Sequence, residues 1–333
     1  MTSASLARVA SFGAIVACFA APSHAASYTT FDPPGSVDTF TRSINAAGSI
    51  AGSYVVNAGE VHGFVRAVDG SITTFDPPGS SNTQANAIDD AGRIVGGWSS
   101  GRHGAHGFLR GADGTMTIFD PPRSKLTMPA GLDADGNIYG GFATHRSKGR
   151  GFVRAPDGGY TVFDAPGALV TQVLAVNSAG TSTGLYVKQM EPNHGFIREA
   201  DGTLTSFDVP AAVSTAGFGI NRAGTIAGTY IDINDFDQAF VRAPDGTITT
   251  VRPKHADSAD VAAIDDSGTI VGTYDAGEAV IHGFLRKPNG RIVTLDDPDA
   301  VMGTFPASIN KAGIVAGFFE DESGHRHGFV RKK

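Results

Sequence analysis

Residues 61–79 read VHGFVRAVDGSITTFDPPG, and residues 326–333 read RHGFVRKK. The first stretch has the form of a β-hairpin: HGFVR as one strand, a turn at Asp69-Gly70, and SITTF as the strand that returns. Asp-Gly between alternating segments is a strong hairpin signal, because Gly supplies the positive φ that a tight turn needs. The second stretch has the first strand and lacks the second. Its partner is expected at the other end of the chain, where Ser27–Phe31 (SYTTF) is a SITTF-like strand with no hairpin before it.

Both stretches belong to one repeat. The residue ending each SITTF-like segment is Phe31, Phe75, Phe119, Phe163, Phe207, Val251 and Leu295, each 44 positions after the last. Phe64, Phe108, Phe152, Phe196, Phe240 and Phe284 keep the same spacing, and Phe329 follows one residue late. Seven such units fill residues 28–333 and leave no room for a second domain.

Each unit has four strand-like segments, typified by SITTF, ANAID, GRIVGGW and HGFLR. Between the second and third lies NAAG, DDAG, DADG, NSAG, NRAG, DDSG or NKAG, an Asn or Asp opening a tight turn that Gly closes. A unit of 40–45 residues with four antiparallel strands is the signature of a propeller blade. The expected fold is all-β: a seven-bladed β-propeller of four-stranded antiparallel blades, closed by pairing of the N- and C-terminal strands. Closure would remove two exposed sheet edges, whereas an open solenoid would carry polar terminal caps.

These same residues carry a resemblance. His-Gly-Phe followed by an aliphatic residue and Arg, with an Asn/Asp-x-x-Gly turn leading into Ile-Val-Gly, resembles the bacterial extracellular repeats of the HAF family. The likeness covers the whole repeat array, although the His-Ala-Phe of that family is mostly His-Gly-Phe here. It implies export and a propeller-like fold, and it supplies no catalytic residues.

Composition agrees with a turn-rich globular chain. Glycine makes up 44 of 333 residues, roughly twice the usual ~7%. The formal charge of −7 argues against nucleic acid as a partner, since polyanion binding needs a dense basic surface. No apolar run long enough to span a bilayer follows the N-terminus. The N-terminus itself has one basic residue, Arg8, an apolar run, and small residues at Ser23 and Ala25, as a signal peptide over residues 1–25 would. Residues 26–333 are then one domain. Ile15-Val16-Ala17-Cys18 also has the form of a lipobox, which would place a lipid anchor on Cys18. Cys18 is the only cysteine, so cleavage after Ala25 leaves no thiol chemistry.

Features repeated in every unit are expected to serve the blades. Arg66, Arg110, Arg154, Arg198, Arg242, Arg286 and Arg331 stand beside the Asp-Gly turns and are expected to pair with Asp69, Asp113 and their equivalents. Tyr54, Trp98, Phe142, Tyr186, Tyr230, Tyr274 and Phe319 each follow a Gly by two residues and suggest wedges between blades. His62, His106, His194, His282 and His327 head the fourth strand, with Arg150 and Gln238 in the other two units. The hairpin register brings His62 to Asp76 and His106 to Asp120, so His–Asp hydrogen bonds are expected rather than a metal site, whose ligands must converge. DADGN at 133–137 is a turn, because it lacks the remaining ligands of a calcium loop.

A functional site should lie where the units differ. The tight turns share one face of the disc, and the variable third-to-fourth strand loops and crossovers share the other. Units two and three put Arg102, His103, Arg123, Lys125, His145, Arg146, Lys148 and Arg150 on that variable face, while units five and seven put Asp232, Asp235, Asp237, Glu320, Asp321 and Glu322 there. The basic sector suits an acidic glycan or an acidic patch on a protein partner. The expected function is therefore an exported, monomeric, non-catalytic binding propeller with no cofactor or metal. Two alternatives are a glycan hydrolase or lyase, with symmetry breaks at Arg252, Lys254 and His255, and a surface lipoprotein.

Overall fold

The computed structural model describes residues 26–101, 104–144 and 148–333; residues 1–25, where a signal peptide is expected, lie outside them. Among the described residues there are twenty-eight strands, β1–β28, and no helix. The pattern is set by its first copy: β2 (Asp38–Ile44), β3 (Ile50–Val55), β4 (Val61–Arg66) and β5 (Ile72–Phe75) form an antiparallel meander. The Asn-x-x-Gly turn between β2 and β3 works as its residue types require. Asn45 Oδ1 accepts the Gly48 and Ser49 amides, and Gly48 takes φ 99°.

β1 (Ser27–Phe31) pairs with β28 (Arg326–Lys332), from Ser27↔Lys332 to Phe31↔Gly328. With β27 (Val315–Glu320) and β26 (Gly303–Ile309) it completes a four-stranded sheet from both ends of the chain. The remaining strands do not all separate into four-stranded sheets. Three sheets have four strands and two have eight, each eight-stranded sheet being two meanders joined through one parallel pair, Val61↔Asn82 or Gly149↔Val170. The cause is local. The start of each fourth-segment strand lies beside the start of the next inner strand, close enough at these junctions for backbone pairing.

Every inner strand carries a bulge at the same place. In β2 the register slips between Thr41 and Ser43, and equivalent slips recur at 85/87, 129/131, 173/175, 217/219, 261/263 and 306/308. A bulge inserts one residue and re-aims its side chain, a point that matters for the cavity described below.

Packing repeats as faithfully. Phe64, Phe108, Phe152, Phe196, Phe240, Phe284 and Phe329 are fully buried. Each meets the preceding SITTF-like strand, as in the edge-to-face pair of Phe64 with Phe31 at 5.9 Å. In the five units where that strand ends in Phe, the repeated arginine contacts the same ring rather than the turn aspartate. Arg66 stands 5.0 Å over Phe31 and Arg110 5.1 Å over Phe75, while Asp69 accepts the Ser71 amide and hydroxyl at 2.9 and 2.7 Å. The expected Arg–Asp pairs thus give way to cation–π contacts with the preceding meander, where a flat guanidinium covers an aromatic face.

One core position breaks the pattern. Ile50, Ile94, Ile138, Ile226 and Ile270 are fully buried at equivalent sites, and unit four has Ser182 there, fully buried with an unpartnered hydroxyl. Ser182→Ile is expected to raise stability by about 1–3 kcal/mol, by adding apolar burial and removing an unsatisfied oxygen. Urea unfolding measures this, and an unchanged or lowered midpoint refutes it.

Candidate functional site

The rim of the variable face is built from the histidines. His62 Nδ1 lies 2.6 Å from Asp76, His106 2.6 Å from Asp120, His194 3.0 Å from Asp208 and His282 2.9 Å from Asp296. His327 reaches Asp32 at 2.8 Å, joining the two ends of the chain. At Asp32, Asp76 and Asp120 the second oxygen takes a buried threonine hydroxyl, as with Thr83 on Asp76 at 2.6 Å. These groups share members with a nucleophilic triad but not its order. The hydroxyl donates to the carboxylate instead of the imidazole, so no base activates it. Among the described residues no cluster of three or more His, Cys, Asp or Glu could hold a metal.

His327 meets two carboxylates, Asp32 and Asp321. Burial opposes its charge, yet the Asp32 and Asp321 carboxylates outweigh this and raise its pKa above the ordinary histidine value. A raised folded-state pKa contributes stability that is present below the unfolded value of about 6.5 and is lost as pH rises through the folded one. The urea midpoint is therefore expected to fall from pH 5.5 to 8 more steeply in the wild type than in His327→Gln. Parallel profiles would rule out this contribution.

The aromatic residues two positions after each Gly lie across from these histidines. Ring centroids are 5.3 Å apart for Tyr54–His62, 5.0 Å for Trp98–His106 and 5.1 Å for Tyr186–His194. They stack on their own meander and also share core clusters with the neighbouring one, Tyr54 with Ala316 and Val330 and Phe319 with Val271 and Leu285, as wedges between blades would.

The predicted basic residues have separate fates. Arg102, His103, His145 and Arg146 lie outside the described residues. Arg150, where other units have His, donates through Nε to Asp164 at 3.0 Å, and Lys148 Nζ joins the same carboxylate at 3.1 Å. Burial would raise the Asp164 pKa, and these two cations hold it below the usual range instead. Their charge is spent on the rim. Arg123, on the crossover into β10 (Ser124–Leu132), and Lys125, at the start of that strand, are exposed. On the acidic side, Asp232 and Asp321 cap their own loops, and Glu320 holds Arg326 at 2.6 Å. Arg252 bonds the Ala256 carbonyl and Gln238 the Asp257 carbonyl, so this symmetry break brings no catalytic pair together.

Sequence reasoning missed two cavities. One, of about 210 Å³, opens on the variable face between units two and three. Its wall includes Trp98, Asn82, Gln84 and Asn86 from unit two, and Leu126 and Met128 from unit three. Trp98 Nε1 is buried without a partner, and the ring is braced by His106, itself held by Asp120. Lys125 adjoins this wall in sequence. The other, of about 250 Å³, is lined by the bulge residue of all seven inner strands: Arg42, Asn86, Ala130, Leu174, Phe218, Ala262 and Ala307. Comparing equivalent positions along the inner strands would have exposed both, since those positions diverge while their neighbours repeat.

The architecture is that of a β-propeller. No family model and no curated protein sequence matches the chain. Among solved structures it is similar to a streptogramin B lyase, with a TM-score of 0.63 and 14% identity over 92% of this chain and 97% of that one. It is also similar to virginiamycin B lyase from Staphylococcus aureus, with a TM-score of 0.63 and 14% identity over 93% and 100% of the two chains. The β-propeller domain of the Trilobed protease from Pyrococcus furiosus gives 0.62 and 9% over 89% and 97%. At these identities the likeness shows the fold alone. No helix among the described residues is long and apolar enough to cross a membrane.

Proposed function

We propose that the chain is an exported, non-catalytic binding propeller of seven blades closed into a ring, and that it holds an acidic glycan on its variable face. Closure is supported by the β1–β28 ladder and by Asn310 Nδ2, which donates to the Asn45 carbonyl at 3.0 Å as Asn177 does to Asn221 in the next unit. Export rests on residues 1–25 and on the likeness to HAF repeats. The mass of the mature N-terminus distinguishes cleavage after Ala25 from lipidation of Cys18.

The observation that carries the binding site is the Trp98 cavity. An indole face beside three side-chain amides is suited to a sugar ring, whose C–H face stacks on aromatics and whose hydroxyls pair with amides. Exposed Arg123 and Lys125 nearby would select for carboxylate or sulfate groups. Trp98→Tyr restores the residue found in four sibling units, so it should leave the fold intact. It is expected to weaken binding of a uronate-containing oligosaccharide about tenfold, or ~1.4 kcal/mol. Arg123→Ala with Lys125→Ala should flatten the salt dependence. Titration of the purified protein reads both, and an oligosaccharide that binds the Trp98→Tyr variant equally well excludes this site.

A protein partner is the second possibility. Ile233 and Phe236, in the unit-five loop, are 78% and 47% exposed, an apolar pair unlike any loop in units two or three. Loss of an interaction in Ile233→Ser/Phe236→Ser, with glycan binding absent throughout, would favour it.

A further inference from the structure

The cavity lined by all seven inner strands has one charge at its bulge level. Six of its bulge residues are neutral, and the seventh is Arg42. The Arg42 side chain is exposed and borders the cavity. Partial loss of water around it still lowers its pKa from the ordinary arginine value, with no neighbouring acid acting against it. Asp89, which also borders the cavity, commits its carboxylate to Arg93 at 2.6 Å. Asp260 lies one alternation along its own strand and does not line the cavity.

The opposite wall is apolar. Leu174 and Phe218 belong to units four and five, the two farthest from unit one when counted either way round a ring of seven. Phe218 is 40% exposed although it sits on an inner strand. A phenyl ring left in water is unfavourable in the empty protein, and a guanidinium with no acid beside it lacks a counter-ion. One ligand can relieve both.

We propose that this axial cavity binds a small organic carboxylate with an apolar body. The carboxylate pairs in bidentate fashion with Arg42, the geometry a planar guanidinium favours. The body packs on Phe218 and Leu174. A volume of about 250 Å³ is at the low end for ligand pockets, which sets the size near benzoate or hexanoate. The site rests on the ring arrangement and is separate from the Trp98 cavity, so glycan binding can fail without affecting it.

The test is calorimetric titration of the purified protein with benzoate, benzamide and inorganic phosphate. Benzoate is expected to bind, with benzamide and phosphate each at least tenfold weaker. Arg42→Gln should weaken benzoate at least tenfold, and Phe218→Ala severalfold. Ala307→Leu narrows the cavity while leaving Arg42 in place, and should also block benzoate. That variant keeps the test decisive if Arg42→Gln misfolds, which circular dichroism would reveal. Absence of benzoate binding overturns the proposal. So does benzamide binding as tightly as benzoate, which removes the role of the charge, or phosphate doing so, which removes the role of the apolar wall. Unchanged benzoate affinity in both folded Arg42→Gln and Ala307→Leu would place any binding elsewhere.

Discussion

Removal of residues 327–333 is expected to unfold the whole domain in one transition, not to fray one sheet. The deletion takes away Phe329, which is fully buried and packs 5.6 Å from Tyr28, together with the β28 side of the β1 ladder and the His327–Asp32 bond. Truncating one buried Phe costs about 3–5 kcal/mol, already a large share of the 5–15 kcal/mol by which a typical domain is stable. In an open array each unit leans only on its neighbours, and the loss would remain local. Trp98 discriminates the two cases because it is the only tryptophan and sits in unit two, far along the chain from the deletion. Its fluorescence should show unfolding at markedly lower urea, or no folded baseline, and a synthetic peptide of residues 327–333 should partly restore it. A Trp98 transition at the wild-type midpoint would mean that β28 matters only to its own sheet, and the ring would have to be abandoned.

The parts legible in the sequence were those decided within one unit. The 44-residue spacing of Phe31, Phe75 and their equivalents located the strands, and hairpin register alone placed His62 on Asp76. Contacts between units were misjudged for an equally physical reason. Arg66 is three residues from Asp69 in sequence, but its guanidinium covers Phe31, which belongs to the sheet before it. Lys148 and Arg150 read as a ligand-facing surface in sequence, but Asp164 holds both. The cavity walls were hidden by the bulges. Alternation along a strand predicts which side chains share a face, and one inserted residue at position 42, 86 or 218 shifts that count. Trp98 does stand out in the sequence, as the one indole in a series otherwise made of Tyr and Phe, beside an inner strand with amides at positions 82, 84 and 86.

Gly52→Ala is expected to destabilise the protein by about 3 kcal/mol or more, at the upper end of the cost of overpacking. Gly52 sits in β3, where a Cβ would fall well inside contact distance of the Phe40 carbonyl oxygen and 2.7 Å from the Phe64 ring. Neither neighbour can yield easily. The carbonyl belongs to the backbone of β2 next to its bulge, and Phe64 is fully buried in the core. The same pair of obstacles, an inner-strand carbonyl and the core Phe ring, faces a Cβ at Gly96, Gly140, Gly228, Gly272 and Gly317. This explains the Gly that precedes each aromatic by two residues: it admits the core ring of its own meander, and it does so without unusual backbone angles. Gly35 supplies the control. It takes φ 79° with nothing within 4 Å of a Cβ, so Gly35→Ala should cost only about 1–2 kcal/mol of left-handed strain. If the two substitutions lower the urea midpoint equally, crowding at Gly52 is relieved by movement, and the Phe64 ring is held less firmly than its burial implies. If Gly52→Ala is much the worse, a second substitution, Phe64→Leu, should recover only part of the loss, because the carbonyl of Phe40 remains in the way.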